Sequence, residues 1–271
     1  MATRICAVLG KPIAHSLSPV LHRAAYAALG LDWSYQRHEV DEAELAGFVA
    51  GLDAGWRGLS LTMPLKVVAL SLGEPDELAV LAHAGNTMIL EPDGARRVYN
   101  TDVPGLETAW RSAGVDRLDS VVIFGAGATA RSTIVSASRF GARRITIMAR
   151  TPARAEDLRP LAETLDVDLD VRPWDATSPR SDGLVSTVTA AAAGDRAPAE
   201  VGRFGSVFDV VYDPWPTPLA VAAEAAGVVV LNGLDLLAGQ AVGQVELMTG
   251  CRIDVELLLA AGREELARRR S

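Results

Sequence analysis

The sequence predicts an α/β protein of two domains. Three observations carry that prediction. Short apolar segments alternate with helical ones from end to end of the 271 residues. The later apolar segments form a run separated by helix-length spacers, as buried parallel strands do. One of them runs directly into a Gly-rich turn that opens a helix. No internal repeat is present, and 190–199 is the single stretch of low complexity.

Residues 5–9 form a short apolar strand ending at Gly10. Ser18-Pro19 opens a helix, with serine as N-cap and proline at the first helical position, and Gly30 stops it. Residues 34–40 read as a strand, Asp41 caps the next helix, and 58–62 form a third strand. A helix starts at about Leu65 and another covers 77–84. Strands at 87–90 and 96–99 flank the turn Pro92-Asp93-Gly94. A helix over 103–113 leads into the second domain, with strands expected at 120–124, 144–148, 167–171, 183–188, 207–212 and 228–231. That set fits a six-stranded doubly wound sheet. Helices over 235–248 and 254–269 close the chain. The predicted domains are residues 1–103 with 237–271, and residues 104–236.

About half the residues are apolar (49%) and 22% are charged, the balance of an ordinary globular enzyme. A net charge of −8 excludes a general nucleic-acid or anionic-membrane binder, which needs a basic surface. The two cysteines, Cys6 and Cys251, form no CxxC, so neither a disulfide framework nor a zinc site is suggested. His15 and His22 have no partners at metal-ligand spacing, and no metal is expected. The first ten residues lack a basic n-region and a long apolar core, and no twenty-residue apolar run follows, so the expected address is the cytoplasm. Of 26 basic residues only Lys11 and Lys66 are lysines, and only Asn86, Asn100 and Asn232 are asparagines. A lysine retained in an arginine-rich chain suits a task that arginine cannot perform, such as losing a proton.

The strand at 120–124 runs into Gly125-Ala126-Gly127-Ala128-Thr129-Ala130, a dinucleotide fingerprint in GxGxxA form. The first glycine permits the tight turn, the second lets backbone approach a pyrophosphate, and the small residue at 130 lets helix and strand pack closely. The helix N-terminus adds amide donors and the positive end of its dipole. The next strand ends in Ala149-Arg150-Thr151-Pro152-Ala153-Arg154, without the carboxylate that would recognise the ribose of NAD. Arg150 and Arg154 suit a 2′-phosphate, and Thr151 can cap the helix and offer its hydroxyl. The expected cofactor is NADP, held in a Rossmann-type domain.

In the first domain, chemistry-bearing residues cluster in the loops Gly10–Pro19, Ser60-Leu61-Thr62-Met63-Pro64-Leu65-Lys66, Gly85-Asn86-Thr87 and Tyr99-Asn100-Thr101-Asp102. Hydroxyls, amides, one amine and one carboxylate at such positions suit a small polyhydroxylated ligand. With the late segments Tyr212–Leu219 and Gly233–Gln240, these motifs resemble the shikimate dehydrogenase family over nearly the whole chain.

The resemblance implies reversible NADPH-dependent reduction of 3-dehydroshikimate to shikimate, in aromatic amino-acid and chorismate biosynthesis, with the N-terminal domain binding substrate. It implies that Ser16 and Ser18 bind the substrate carboxylate, that Thr62, Asn86, Asp102 and Gln240 hold ring hydroxyls, and that Tyr212 lines the same cleft between the domains. Lys66 and Asp102 are the implied catalytic pair. Gly233 and Leu236 are placed against the cofactor, Leu236 where the family usually has methionine. Other departures are Ser60 for the usual asparagine, Ala128 for the second glycine of GAGG, and Arg23 after His22. Asp102 or Thr101 also reads as the cap of the following helix, Ser18 as cap and ligand at once, and Lys11 as surface. A quinate/shikimate or aminoshikimate dehydrogenase, and a non-catalytic NADP sensor, are the alternative functions. The expected partners are the small-molecule substrate, with no nucleic acid or membrane, in a monomer or homodimer.

Overall fold

The computed structural model describes residues 3–270. The chain divides into two compact units, Met1–Gly105 with Leu237–Ser271, and Leu106–Leu236.

The first unit holds β1 (Ile5–Gly10), β2 (Ser34–Glu39), β3 (Trp56–Leu61), β4 (Glu74–Pro75), β5 (Thr87–Leu90) and β6 (Arg96–Tyr99), in the order β2-β1-β3-β5-β6-β4. β1 pairs parallel with β2 and β3, while β5 is antiparallel to β3 and β6. Side chains alternate across a strand, and β1 shows the consequence. Ala7 and Leu9 join Leu59, Leu61 and Met88 on one face. Cys6 and Val8 join Tyr26, Tyr35 and Met248 on the other.

Helices α1 (Ser18–Ala28), α2 (Glu42–Ala50) and α3 (Glu77–Ala82) accompany this sheet, and α4 (Asp102–Ser112) starts in this unit and runs on into the second. Asp41 caps α2 as expected, in a full capping box with Glu44. Ser18 does not cap α1. It is the first helical residue, and its amide donates to Ser16 Oγ at 3.3 Å. The helix expected from Leu65 is a turn followed by a single 3-10 turn at Val68–Ser71. The reason is tertiary. The Lys66 carbonyl accepts the Gly85 amide at 2.7 Å, so it is withdrawn from any helical ladder.

The second unit holds β7 (Ser120–Phe124), β8 (Arg144–Ala149), β9 (Asp168–Pro173), β10 (Ser181–Ser186), β11 (Phe204–Asp209) and β12 (Val229–Asn232), with α5 (Ala128–Arg139), α6 (Pro152–Ala155), α7 (Arg159–Thr164), α8 (Ala190–Gly194), α9 (Ala197–Glu200) and α10 (Pro218–Ala225). All its strands are parallel, in the order β12-β11-β10-β7-β8-β9. Strand order reverses between β7 and β10, the switch point at which open α/β sheets bind ligands. β11 ends at Asp209, three residues short of the expected end, because the Asp209 carboxylate accepts the Val211 amide and turns the chain. Tyr212 therefore lies in a connection, off the strand. Trp110, fully buried, packs on Phe140 and Phe208 beneath the sheet.

The chain returns to the first unit through α11 (Gly233–Thr249) and ends in α12 (Val255–Arg270), which packs on α1. No helix among the described residues is long and apolar enough to cross a membrane. Within the first unit α4 and α11 approach at two glycines. A Cβ on Gly105 would stand 2.7 Å from the Gln240 amide nitrogen, and one on Gly239 would stand 2.5 Å from the Gly105 carbonyl. Backbone cannot yield as a side-chain tip can. Gly105→Ala is expected to cost about 3 kcal/mol by overpacking, read as a lowered urea midpoint, and to push Gln240 away from its neighbours.

Candidate active site

Four elements of the first unit bring one set of polar side chains together. The turn after β3 carries Lys66, the start of β5 is preceded by Asn86, α4 opens at Asp102, and α11 carries Gln240. Lys66 Nζ donates to Asp102 Oδ2 at 2.5 Å, with the lysine side chain 15% exposed and the aspartate side chain 6%. The other carboxylate oxygen accepts Asn86 Nδ2 at 2.8 Å, and the same amide reaches Gln240 Oε1 at 3.2 Å. Asn86 Oδ1 accepts the Thr101 amide at 2.8 Å, and the Thr101 and Thr87 hydroxyls at 3.0 Å each. Because a backbone N–H can only donate, that contact fixes which end of the Asn86 carboxamide faces Asp102.

The expectation that Asp102 or Thr101 caps α4 is corrected here. The carboxylate is committed to Lys66 and Asn86, and the Thr101 hydroxyl to Asn86. The Val103 amide is taken instead by Asn100 Oδ1 at 3.1 Å. Asp102 is thus held at a helix start for a purpose other than capping. Such a pair, largely withdrawn from water, can hold a proton and release it to a bound oxygen.

Ser16 is half-buried and Ser18 buried, joined by the amide-to-hydroxyl bond already described. The Ser16 loop is pinned from behind, since Arg37 donates to the Ala14 and Ser16 carbonyls and Arg269 of α12 to the His15 carbonyl. Thr62 is half-buried at the end of β3, where a Cβ on Gly10 would collide with its methyl group. Lys11 is on the surface, as expected, paired with Asp41 at 3.1 Å. Tyr212 is half-buried in the second unit, and Leu236, 9% exposed, is that unit's last residue.

The second unit has a cavity of about 460 Å³ above the β7 switch point. Gly125, Ala126 and Gly127 form its floor, Arg150, Thr151 and Arg154 one side, and Thr187 to Thr189 another. Gly125 has φ +100°, and a Cβ there would meet Thr187 Oγ1 at 2.6 Å. Gly127 sits at the N-cap of α5 with no side-chain cap, so the first-turn amides of that helix, which includes Ala128, Thr129 and buried Ala130, face outward for an acceptor. Arg150 and Arg154 are exposed, and among the described residues neither guanidinium has an ion-pair partner. The lining contains no carboxylate. These features fit an anionic dinucleotide carrying an extra phosphate. Thr151 stands at the N-cap of α6, yet its hydroxyl makes no capping bond, against expectation. Gly233 is required for packing, since a Cβ there would strike the Val210 carbonyl.

A family model described as the shikimate dehydrogenase substrate binding domain matches residues 8–88. The shikimate dehydrogenase (NADP(+)) of Methanocella arvoryzae is 34% identical over 277 residues, covering 97% of this chain and 99% of its own. The chain belongs to the shikimate dehydrogenase family. The solved structure of Mycobacterium tuberculosis shikimate dehydrogenase is 37% identical, with a TM-score of 0.89 over 96% of this chain and 99% of that one. That of shikimate 5-dehydrogenase from Thermus thermophilus, in complex with NADP(H) and shikimate, is 30% identical, with a TM-score of 0.83 over 96% and 99%.

Within the shikimate dehydrogenase family this chain departs at Ser60, and the structure shows where that hydroxyl goes. It accepts from Tyr35 Oη at 2.6 Å and donates to Gln244 Oε1 at 2.8 Å, away from solvent. Gln244 also accepts His22 Nε2 at 3.0 Å, so that nitrogen carries the proton, and the bare Nδ1 has no partner among the described residues. His22 lies stacked on Tyr35 with ring centroids 4.1 Å apart. Burial pushes the imidazole down to about 4, against the upward pull of Gln244. An unfolded histidine near 6.5 binds a proton that the folded one refuses, so stability is lost as pH falls from 6.5 toward 4. The expected loss is on the order of 3 kcal/mol. Urea midpoints measured across that window should fall less steeply for His22→Leu than for the unaltered chain.

Two further groups escaped the sequence reading. Trp174, just past β9, lines the dinucleotide cavity and packs edge-on to Phe124 at 5.1 Å. Arg196 covers it at 4.9 Å while pairing with Glu200 at 2.6 Å. Arg196 lies in the stretch that reads as low in complexity, and its one arginine among alanines was the available signal. For Gln244 the signal was a second glutamine one helical turn after Gln240 in an otherwise apolar segment.

Proposed function

We propose that this chain catalyses the reversible NADPH-dependent reduction of 3-dehydroshikimate to shikimate, an oxidoreductase step of chorismate biosynthesis. The observation that carries the reading is the Lys66–Asp102 bond, with Asn86 on the second carboxylate oxygen, in a member of the shikimate dehydrogenase family. Gly125 to Ala130, Arg150, Thr151 and Arg154 would hold NADP, whose reduced form supplies the hydride when bound. Gly233 and Leu236 complete that surface.

Lys66 and Asp102 manage the proton. A ketone oxygen that gains negative charge is quenched by the lysine ammonium, whose charge Asp102 balances. In the oxidative direction the same pair takes the hydroxyl proton. An arginine at 66 would hold its proton too tightly for this work. Ser16 and Ser18 receive the substrate carboxylate, Thr62, Asn86 and Gln240 orient the ring hydroxyls, and Tyr212 takes part in binding the substrate. Orientation of this kind converts binding into rate. A cytoplasmic monomer or homodimer, with no nucleic-acid or membrane partner, completes the reading.

Initial rates of cofactor reduction with shikimate or quinate, each with NADP or NAD, test it. Turnover is expected chiefly with shikimate and NADP. Faster turnover with quinate and NAD would overturn both the substrate assignment and the role of Arg150 and Arg154. NADP binding without turnover of either substrate would favour a sensor.

A further inference from the structure

In the first unit a single line of hydrogen bonds runs from the buried interior to Asp102, and every donor in it points the same way. Tyr35 Oη donates to Ser60 Oγ, which donates to Gln244 Oε1. On its other side Gln244 Nε2 donates to Thr87 Oγ1 at 2.9 Å and to the Asn86 carbonyl at 3.3 Å. The Thr87 hydroxyl, accepting from Gln244, donates to Asn86 Oδ1 at 3.0 Å, and Asn86 Nδ2 donates to Asp102. Two backbone groups set the direction. The Asn86 carbonyl can only accept, so the nitrogen end of Gln244 must face it, and the oxygen end then accepts from Ser60 and His22. The Thr101 amide can only donate, so Asn86 Oδ1 faces it.

We propose that Gln244 is a positioning residue for turnover: acting through Thr87, it holds the Asn86 carboxamide with its N–H groups toward Asp102 and Gln240. The inference rests on the shikimate and NADP reading above, and it adds a residue that touches neither the Lys66–Asp102 pair nor the dinucleotide cavity. Gln244 is 1% exposed, Ser60 4% and Thr87 fully buried, so water does not compete for these bonds. Without the Gln244 amide, the Thr87 hydroxyl loses the donor that holds its oxygen and biases its proton toward Asn86. It can then turn to Thr101 Oγ1, 3.4 Å away, and leave Asn86 Oδ1 less firmly held.

The test is a cycle of Gln244→Met, Thr87→Val and the double variant, with Thr87→Ser as the variant that keeps the hydroxyl. Thermal melts establish that each is folded, and if Gln244→Met does not fold, Thr87→Val against Thr87→Ser carries the comparison. Each single variant is expected to lower kcat/KM for shikimate about tenfold, since small misplacements of orienting groups cost factors of this size. The double variant should lose about tenfold as well, because both substitutions break one line. KM for NADP should stay within about twofold and Thr87→Ser should match the unaltered chain. Folded variants with unchanged kcat/KM, losses that multiply in the double variant, or an equal rise in KM for NADP would each overturn the positioning role. The unaltered chain is assayed first. Its failure to oxidise shikimate with NADP sinks the parent reading and this inference with it, whereas full activity with indifference at Gln244 sinks this inference alone.

Discussion

Lys66→Ala is expected to lower kcat for shikimate oxidation about a thousandfold, within the range that positioned acid–base groups contribute. The geometry specifies why the loss falls on kcat. Lys66 is 2.5 Å from Asp102 and 15% exposed, so its charge is already balanced before substrate arrives and its removal chiefly affects charge that develops during reaction. KM for shikimate should change only a few fold, because Asn86, Gln240 and Thr101 keep their mutual bonds. Lys66→Arg separates charge from proton exchange. It preserves the cation but not its ability to give up a proton, and should be nearly as slow as alanine. Steady-state kinetics at saturating NADP check both variants, and a Lys66→Arg variant close to full activity would show that positive charge alone suffices.

Removing Arg150 and Arg154 together is expected to raise KM for NADP about a hundredfold while leaving KM for NAD nearly unchanged. A hydrogen bond between charged groups contributes about 1.5–3 kcal/mol, and the exposure of both arginines places the pair toward the lower part of a two-bond sum. The cavity wall offers no carboxylate to bind the ribose hydroxyl of NAD, so the alanine variant gains nothing with that cofactor. Fluorescence titration with each dinucleotide, independent of turnover, measures the difference. Equal weakening for NADP and NAD would mean that the arginines support the loop rather than read the phosphate.

Local pattern made much of the fold legible. The Asp41-Glu44 capping box, the six strands of the second sheet and the Gly125–Ala130 turn are each dictated within a few residues. What stayed hidden depends on partners far along the chain. The segment after Leu65 has helical composition, but the bond from Gly85 to the Lys66 carbonyl overrides it. Ser18 and Thr151 have the right identity and position for caps, yet the donors they would satisfy are met or exposed in other ways. Asn100 performs the capping role for which Thr101 and Asp102 were the nearer candidates, and this frees Asp102 for Lys66.

The candidate site divides along the same line. Lys66, Asp102 and Asn86 are rare or charged residues next to strand ends and helix starts, and they stood out for that reason, whereas Gln240, well inside α11, was marked only by the family resemblance. Gln244 and His22 meet across 222 positions, in a contact that no window of sequence can reveal. Trp174 and Arg196 are joined by stacking, which leaves no spacing rule behind.

Lys66 and Asp102 are proposed to act as one unit, and the kcat of the Lys66→Ala/Asp102→Asn double variant beside the two singles tests this most directly. Groups that serve one step lose their effect once either is gone. The double variant is therefore predicted to be no more than a few fold slower than the slower single variant. Losses that multiply, so that the double variant is slower by the product of the two single effects, would contradict a shared role and leave the two residues as independent contributors.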